Sequence, residues 1–200
     1  MGTDDWGSYY DVAESGSPRT TLLDALDLFD TEPEPAAGRF AVDLGCGEGR
    51  DTTELLRRGW RVLAIDSEPE AIARLVARPE AADSDQLETT VCTFEEAEWP
   101  DASLVNASYA LPFCPRGAFP GVWERIVASL PPGGRFCGQL FGDRDQWASD
   151  PTLTTLRRDV VERLLEPFVT ERLEEIEEDG QTALGAPKRW HLFHVVARKT

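Results

Sequence analysis

Between residues 39 and 141, short runs of apolar β-branched and aromatic residues alternate with segments whose apolar residues recur every three or four positions. The first pattern is typical of buried strands and the second of amphipathic helices. Their alternation predicts a parallel sheet that is covered by helices on both faces. The predicted strands are residues 40–44, 61–66, 87–93, 103–108 and 135–141, and the predicted helices between them are residues 51–59, 68–78 and 119–130.

The last third of the sequence has a different pattern. A helical segment around residues 155–165 is followed by two strand-like runs, residues 168–178 and 190–199. Asp179-Gly180 is a turn signal between these runs. Two consecutive strands with a short connection pair in the antiparallel direction. We therefore expect a doubly wound, Rossmann-like α/β fold, with helices on both faces of a mostly parallel seven-stranded sheet that ends in an antiparallel hairpin.

Composition and charge exclude several classes of partner. The formal net charge is −17, and no basic patch is visible along the chain. Because such a charge repels phosphate groups and anionic lipid surfaces, we expect neither a nucleic-acid partner nor a membrane partner. No run of about 18 apolar residues occurs, and Met1 to Tyr10 does not resemble a signal peptide. A soluble, cytoplasmic protein is the expectation.

The four cysteines give no sign of a metal site. Cys46, Cys92, Cys114 and Cys137 are widely spaced, without a Cys-x-x-Cys pair or a nearby pair of histidines. Structural zinc sites normally need such closely spaced ligands. We therefore expect free thiols and no bound metal.

A glycine-rich segment, Gly45-Cys46-Gly47-Glu48-Gly49, directly follows the first predicted strand and directly precedes a helix. Glycines at this place let the chain turn sharply and let a ligand approach the backbone. A dinucleotide fingerprint, G-x-G-x-x-G/A, would need a small residue where Arg50 stands, and the G-K-[ST] ending of a P-loop is absent. The loop therefore predicts a ligand site of another kind.

The segment 42–49, with Asp43 two places before G-x-G-x-G, resembles motif I of the class I S-adenosylmethionine-dependent methyltransferases. Leu130-Pro131-Pro132-Gly133-Gly134 resembles the L-x-P-G-G turn that introduces the fifth strand in this family. The resemblance covers roughly residues 40–141. It implies that S-adenosylmethionine is the cofactor and that the chain transfers a methyl group.

The resemblance also implies roles for residues at the ends of the strands. An acidic residue at the position of Asp66 binds both ribose hydroxyls in this family, and one carboxylate suits two neighbouring donors; a helix-capping role for Asp66 or Ser67 is the alternative. Phe94 would pack against adenine, and Glu95 would bind its exocyclic amine. The cofactor-binding residues implied by these matches are Asp43, Gly45, Cys46, Gly47, Gly49, Asp66, Ser67, Phe94, Glu95, Asn106 and Ser108.

Within this family, the N-terminal and C-terminal segments resemble the small stand-alone methyltransferases related to tellurite-resistance proteins. The resemblance is carried by residues 6–10, the Pro18-Arg19 helix start and residues 188–194. It implies that an N-terminal segment folds over the cofactor. Tyr10, with Trp6 and Tyr9, would then contact the sulfonium through cation–π interactions, and Arg19 would pair with the methionine carboxylate. Ordinary packing of these aromatic residues is the alternative.

This reading implies one domain over residues 1–200. A helical cap (1–38), which includes a predicted helix over residues 18–29 with Pro18 in its first turn, would cover the cofactor. A cofactor-binding core (39–141) would follow. The remainder (142–200) would contain an acceptor loop, a helix and the antiparallel strand pair.

Three residues are candidates for the chemistry of the methyl acceptor. Asn106 stands where amine-methylating relatives carry N-P-P-Y, although both prolines are missing here. Trp147 lies in the loop 142–147 after the fifth strand, which is a candidate acceptor wall. We expect His191 near the mouth of the site, where a histidine suits proton removal near neutral pH, and His194 on the opposite side of the sheet in a structural role.

The function predicted from the sequence is in-line methyl transfer from S-adenosylmethionine to a small-molecule acceptor. The alternatives are an NAD(P)-dependent oxidoreductase on a related sheet and a non-catalytic module that binds S-adenosylmethionine. The sequence leaves open the identity of the acceptor, the need for a general base and the oligomeric state.

Overall fold

The structure is a computed structural model and describes residues 6–7, 10, 16–33 and 39–200. Tyr9 and parts of the predicted N-terminal cap lie outside the described residues. Among the described residues, every helix is too short or too polar to traverse a lipid bilayer.

The described helices and strands follow the predicted alternation. The helix predicted over residues 18–29 begins at Thr20, directly after its N-cap Arg19, so Pro18 precedes the helix and does not lie in its first turn. The helices are α1 (Thr20–Asp30), α2 (Arg50–Arg57), α3 (Pro69–Val76), α4 (Phe119–Ser129) and α5 (Arg158–Leu164), with a short 3-10 helix at Leu111–Phe113. The strands are β1 (Phe40–Leu44), β2 (Arg61–Asp66), β3 (Leu87–Val91), β4 (Leu104–Ala107), β5 (Arg135–Gly142), β6 (Thr155–Leu156), β7 (Phe168–Gln181) and β8 (Pro187–Lys199).

The sheet has the predicted doubly wound arrangement. Its strand order is β3-β2-β1-β4-β5-β8-β7, and β6 pairs with β5 outside this path. Strands β1 to β6 pair in parallel, whereas β8 runs antiparallel to both β5 and β7. The strand order reverses between β1 and β4. Ligands in open α/β sheets bind at such a switch point, beyond the carboxyl ends of the strands.

Helices cover both faces of the sheet, as predicted. Phe119, Trp123 and Ile126 of α4 pack on one face, where they join apolar side chains such as Val42 and Ile65. The opposite face carries apolar residues of α1, α2 and α3 together with alternate residues of the same strands. Successive side chains of a strand point to opposite faces, so each central strand contributes to both layers.

Three expectations about the last third of the chain are wrong. The sheet has eight strands and not seven, because Thr155 and Leu156 pair with the end of β5, so the helix predicted over residues 155–165 begins only at Arg158. Asp179 and Gly180 form no turn. Both remain paired with β8, and the turn falls at residues 182–186, where Thr182 N donates to Ala186 O (2.8 Å).

The hairpin is longer than predicted because the first residues of β8 are held in place by packing. Lys188 and His191 are buried, and the ring of Trp190 contacts the rings of Tyr109 and Phe141. These contacts keep β8 extended before residue 190. The tip of the hairpin therefore projects beyond the carboxyl end of β5, toward the edge where ligands bind.

Candidate active site

The glycine loop between β1 and α2 is shaped by three residues with positive φ. Gly45, Gly47 and Gly49 have φ values of 69°, 54° and 89°, a region that residues with side chains rarely adopt. A Cβ atom on Gly45 would lie 2.5 Å from Ala110 Cβ, and one on Gly49 would lie 2.2 Å from Leu75 Cδ1. Packing therefore requires glycine at both positions.

Gly47 differs from the other two glycines. Among the described residues, a Cβ atom there would meet only Tyr10, at an ordinary distance of 3.7 Å. Space is thus left open directly above the backbone of Gly47, where a ligand can approach closely.

A cavity of about 770 Å³ lies at the carboxyl ends of β1 and β4. Its volume is in the range of small-molecule and cofactor sites. It extends to both sides of the switch point, so its lining has two halves. Most of the predicted cofactor-binding residues line the half next to β1, β2 and β3 or the junction between the halves; they are Tyr10, Arg19, Asp43, Gly45, Cys46, Gly47, Asp66, Ser67, Phe94, Glu95 and Ser108.

Two predicted cofactor-binding residues do not line the cavity. Gly49 packs against Leu75 behind the loop. Asn106 is completely buried, and its Nδ2 donates to Asp43 Oδ1 (2.9 Å) and to Asp51 Oδ2 (3.1 Å). Asn106 therefore joins two carboxylates behind the cavity wall, and its position does not support the predicted contact with an acceptor.

Asp51 is a cavity residue that the sequence reasoning missed. It stands in the first turn of α2, directly after the glycine loop, and its Oδ1 accepts a hydrogen bond from the backbone N of Arg19 (2.9 Å). Acidic residues are favoured at helix N-termini, so the position alone gives no functional signal. Its contact with Arg19 fastens the residue before α1 to the first turn of α2.

The carboxyl group of Asp43 has an unusual environment. It is 1% exposed, and it accepts hydrogen bonds from Asn106 and from Thr52 Oγ1 (2.5 Å). Burial, together with the nearby charge of Asp51, raises the pKa of Asp43 to about 7, although the two hydrogen bonds act in the opposite direction. Between about pH 4 and pH 7, the folded protein therefore holds a proton there that the unfolded chain releases.

This proton makes the stability of the ligand-free protein depend on pH. The pKa of Asp43 is about 7 in the folded protein against an ordinary value of 3.8, so between these values the folded state binds more protons than the unfolded state. The contribution of the Asp43 carboxyl to the free energy of unfolding must then fall as pH rises from about 4 to about 7. We expect the melting temperature of wild type to drop relative to that of Asp43→Asn between pH 5 and pH 7.5. The exposed substitution Asp101→Asn is the control and should show the pH dependence of wild type. If the melting temperatures of wild type and Asp43→Asn change with pH by the same amount, the assignment is contradicted.

Asp66 ends β2 and faces the cavity from the side of the glycine loop. Its Oδ2 accepts from Gly47 N (2.8 Å), and its Oδ1 accepts from Glu68 N (3.0 Å). Burial raises the pKa of Asp66, while these hydrogen bonds oppose the rise. Each oxygen can accept further hydrogen bonds, so the carboxylate can hold two neighbouring hydroxyls. Asp66 can therefore bind the ribose hydroxyls and accept from Glu68 N, before α3, at the same time.

The other half of the cavity has an aromatic wall. Trp147, which the sequence singled out, lines it, and its ring lies 5.8 Å from that of Trp190. The ring of Phe141 is within 6.0 Å of both. Tyr109, Phe113 and Trp190 also line this half, and the sequence reasoning missed three further cavity residues, Phe141, Leu153 and Glu178.

His191 does not face the cavity. It is completely buried, its Nδ1 accepts from the backbone N of Arg144 (3.0 Å), and its Nε2 lies 2.9 Å from Glu175 Oε1. A Cβ atom on Gly142 would lie only 1.9 Å from the His191 ring, which therefore fills the space beside β5. Its geometry gives no support for the predicted role as a base.

The cavity faces the neighbours of His191 in β8. Trp190 and Leu192 line it, because side chains alternate along a strand. His194 has the same parity as these two residues, so it lies on the opposite side of the sheet from His191, as expected. Its Nδ1 lies 3.4 Å from Gln139 Nε2, and burial lowers its pKa. His194 does not line the cavity.

Residues 41–134 match the family model described as a methyltransferase domain. This segment is therefore similar to methyltransferase domains. It contains the glycine loop, Asp66 and the strand ends that line the half of the cavity next to β1, β2 and β3. The predicted resemblance to the class I methyltransferases is confirmed.

Solved methyltransferase structures share the fold. TehB from Haemophilus influenzae superposes with a TM-score of 0.78 at 16% identity, over 96% of this chain and 66% of TehB. The 1,6-didemethyltoxoflavin N1-methyltransferase of Burkholderia thailandensis, solved with its substrate and S-adenosylhomocysteine, gives 0.70 at 22% identity, over 98% of this chain and 84% of that protein.

A curated relative matches a shorter stretch. The probable cobalt-precorrin-6B C(15)-methyltransferase (decarboxylating) of Methanothermobacter thermautotrophicus is 45% identical over 56 residues. That match covers 28% of this chain and 29% of the relative. The chain thus matches less than a third of this relative's length and 66% of TehB.

Proposed function

We propose that this protein transfers the methyl group of S-adenosylmethionine to a small-molecule acceptor. The observation that carries the proposal is a cavity with two unlike halves at the switch point of the sheet. One half combines the open backbone of Gly47 with the carboxylate of Asp66, and the other has an aromatic wall. A ligand that needs hydroxyl recognition, beside a second compartment for an acceptor, fits this arrangement.

The cofactor half offers suitable chemistry for each part of S-adenosylmethionine. Asp66 would accept hydrogen bonds from the ribose hydroxyls, and Phe94 and Glu95 would hold adenine by packing and by accepting from its amine. Arg19, whose guanidinium lies 4.6 Å from the centre of the Tyr109 ring, would pair with the carboxylate. Tyr10 stacks with Trp6 at 6.3 Å and would cover the ligand from the N-terminal side.

The protein needs to supply little covalent chemistry. S-adenosylmethionine, when bound, supplies a methyl group that its sulfonium has already made electrophilic. The aromatic residues of the acceptor half would orient the acceptor and exclude water, which is the main requirement of an in-line transfer. Neither of the chain's two histidines lines the cavity. No imidazole is therefore placed to remove a proton from the acceptor.

We propose a single-domain, cytoplasmic enzyme that acts on a metabolite and not on nucleic acid. The net charge of −17 supports this choice, because phosphate backbones would be repelled. The small-molecule substrate in the Burkholderia thailandensis structure also supports it.

Titration calorimetry tests the proposed cofactor. We expect wild-type protein to bind S-adenosylmethionine and S-adenosylhomocysteine and to leave NAD(H) unbound. Binding of NAD(H) alone would favour the oxidoreductase alternative, which the position of Arg50 in the loop already disfavours. Methyl-donor turnover with a panel of metabolites then separates an enzyme from a non-catalytic module. Tight binding without turnover on any member of a broad panel would support the module.

Trp147 tests the division of the cavity into two halves. Trp147→Ala should lower turnover on any acceptor that the panel identifies, because the acceptor wall loses a large ring. The affinity for S-adenosylmethionine should stay within about threefold of wild type, a difference below roughly 1 kcal/mol. Trp147→Phe is the matched control and should retain most of the turnover. A large loss of cofactor affinity in Trp147→Ala, with turnover of the bound complex unchanged, would contradict the division.

A further inference from the structure

A buried ammonium group lies against the aromatic wall. The side chain of Lys188 has no exposed surface, and its Nζ is 3.4 Å from the centre of the Trp190 ring and 4.1 Å from that of Trp147. Phe141 is a third ring, at 4.7 Å. All three rings line the cavity, whereas Lys188 does not. The charge therefore lies on the side of the wall that a ligand does not reach.

Asp145 fixes this ammonium in position. Its two carboxylate oxygens each lie 2.7 Å from Lys188 Nζ, and they also accept the backbone N–H groups of Trp147 (2.9 Å) and His191 (3.1 Å). The pair thus fastens the loop after β5 to the start of β8. Apolar side chains in place of this pair could hold the two segments together with equal stability, because a buried ion pair often contributes little net stability. A role in the adjoining cavity would explain why the pair is present.

The ammonium changes what the wall can bind. Aromatic faces attract cations through their negative π density. Because Lys188 already occupies one side of Trp190 and Trp147, their cavity sides are poorer sites for a second cation. Arg19 has the same effect on Tyr109. The acidic Glu178 also lines this half, but it stands on the exposed hairpin, where solvent screens its charge.

The same half of the cavity offers little to accept a proton. Among its described lining residues beside β5, β7 and β8, Glu178 is the carboxylate, and no histidine is present. An acceptor bound here must therefore be nucleophilic without a buried base. A positively charged amine has no free lone pair and does not meet this requirement.

We propose, within the methyltransferase function proposed above, that the acceptor is a flat, electron-rich aromatic ring without positive charge, stacked on Trp147 and Trp190. A lone pair on a nitrogen or oxygen of the ring system forms the bond to the methyl carbon. The carbon–sulfur bond breaks, and its electron pair stays on sulfur. Any proton on the acceptor atom leaves to water.

Three probes of similar outline test this proposal on wild-type protein saturated with S-adenosylhomocysteine. They are 2-naphthol, which is flat and neutral, N-methylquinolinium, which is flat and cationic, and decalin-2-ol, which is neutral and saturated. We expect 2-naphthol to bind at least about tenfold more tightly than either of the others, measured by quenching of tryptophan fluorescence and by calorimetry. Equal or tighter binding of the cation, or of the saturated alcohol, would overturn the proposal.

The double variant Lys188→Met/Asp145→Asn tests the part played by the ammonium, because it removes both charges and keeps similar volumes. The preference for 2-naphthol over N-methylquinolinium should shrink at least about fivefold, mainly through tighter binding of the cation. An unchanged preference in the folded variant would overturn this part of the proposal. If the variant does not fold, the comparison of probes on wild type still decides.

The two proposals fail in different ways. Loss of S-adenosylhomocysteine binding by wild type would overturn the methyltransferase function itself. Normal binding of S-adenosylhomocysteine with the wrong order of probe affinities would overturn only the proposed class of acceptor.

Discussion

Asp66→Ala should weaken S-adenosylmethionine binding at least about tenfold while the protein stays folded. The variant loses hydrogen bonds between a carboxylate and two ribose hydroxyls, each worth roughly 1.5–3 kcal/mol. It also loses the acceptor that orients Gly47 N, at 2.8 Å in the present structure. Calorimetric titration measures the affinity, and circular dichroism checks the fold.

The exposed substitution Asp101→Ala is the control, since it removes the same charge outside the cavity. Its affinity should equal that of wild type. A folded Asp66→Ala protein with wild-type affinity would rule out the ribose contact.

Gly47→Val should abolish detectable cofactor binding and leave the secondary structure intact. The φ value of 54° is unfavourable for any residue with a side chain, and a branched side chain would also enter the space left open above the loop. Calorimetry and circular dichroism again provide the two measurements.

Gly59 offers a matched control for Gly47. Its φ value is 79°, and a Cβ atom there would meet no atom of the described residues within 4 Å. Gly59→Val therefore carries similar backbone strain at a place far from the cavity, and it should bind the cofactor as wild type does. Gly49→Ala should instead lower the melting temperature, because its Cβ would meet Leu75. Cofactor binding by Gly47→Val at wild-type strength would show that the ligand lies elsewhere.

The parallel core of the fold could be predicted because its signals are local. Residues 40–44 and 61–66 are apolar runs next to glycine-containing turns, and both strands have the predicted bounds. The hairpin could not be predicted with the same success. Asp179-Gly180 is a favourable turn sequence, but packing of Trp190 and burial of Lys188 keep the strands paired past it.

The two halves of the cavity also differ in how well the sequence predicted them. Gly47 and Asp66 belong to a motif with fixed positions at the ends of adjacent strands, so the sequence alone indicated them. The acceptor wall combines side chains from four distant segments, and its composition depends on which face of β8 points inward. Pairing of Phe141 with Leu192 sets that face. A shift of one residue in the pairing of β8 with β5 decides whether His191 or Trp190 points into the cavity. The periodicity of the sequence alone does not reveal this register.

A crystal structure of the protein with S-adenosylhomocysteine is the most direct test of the proposed site. The proposal predicts the ribose hydroxyls within hydrogen-bonding distance of Asp66 and the backbone of Gly47 beside the ligand. It also predicts that the sulfur atom points toward the half lined by Trp147 and Trp190. A ligand bound outside this cavity, or one whose sulfur points away from the aromatic wall, would contradict the proposal.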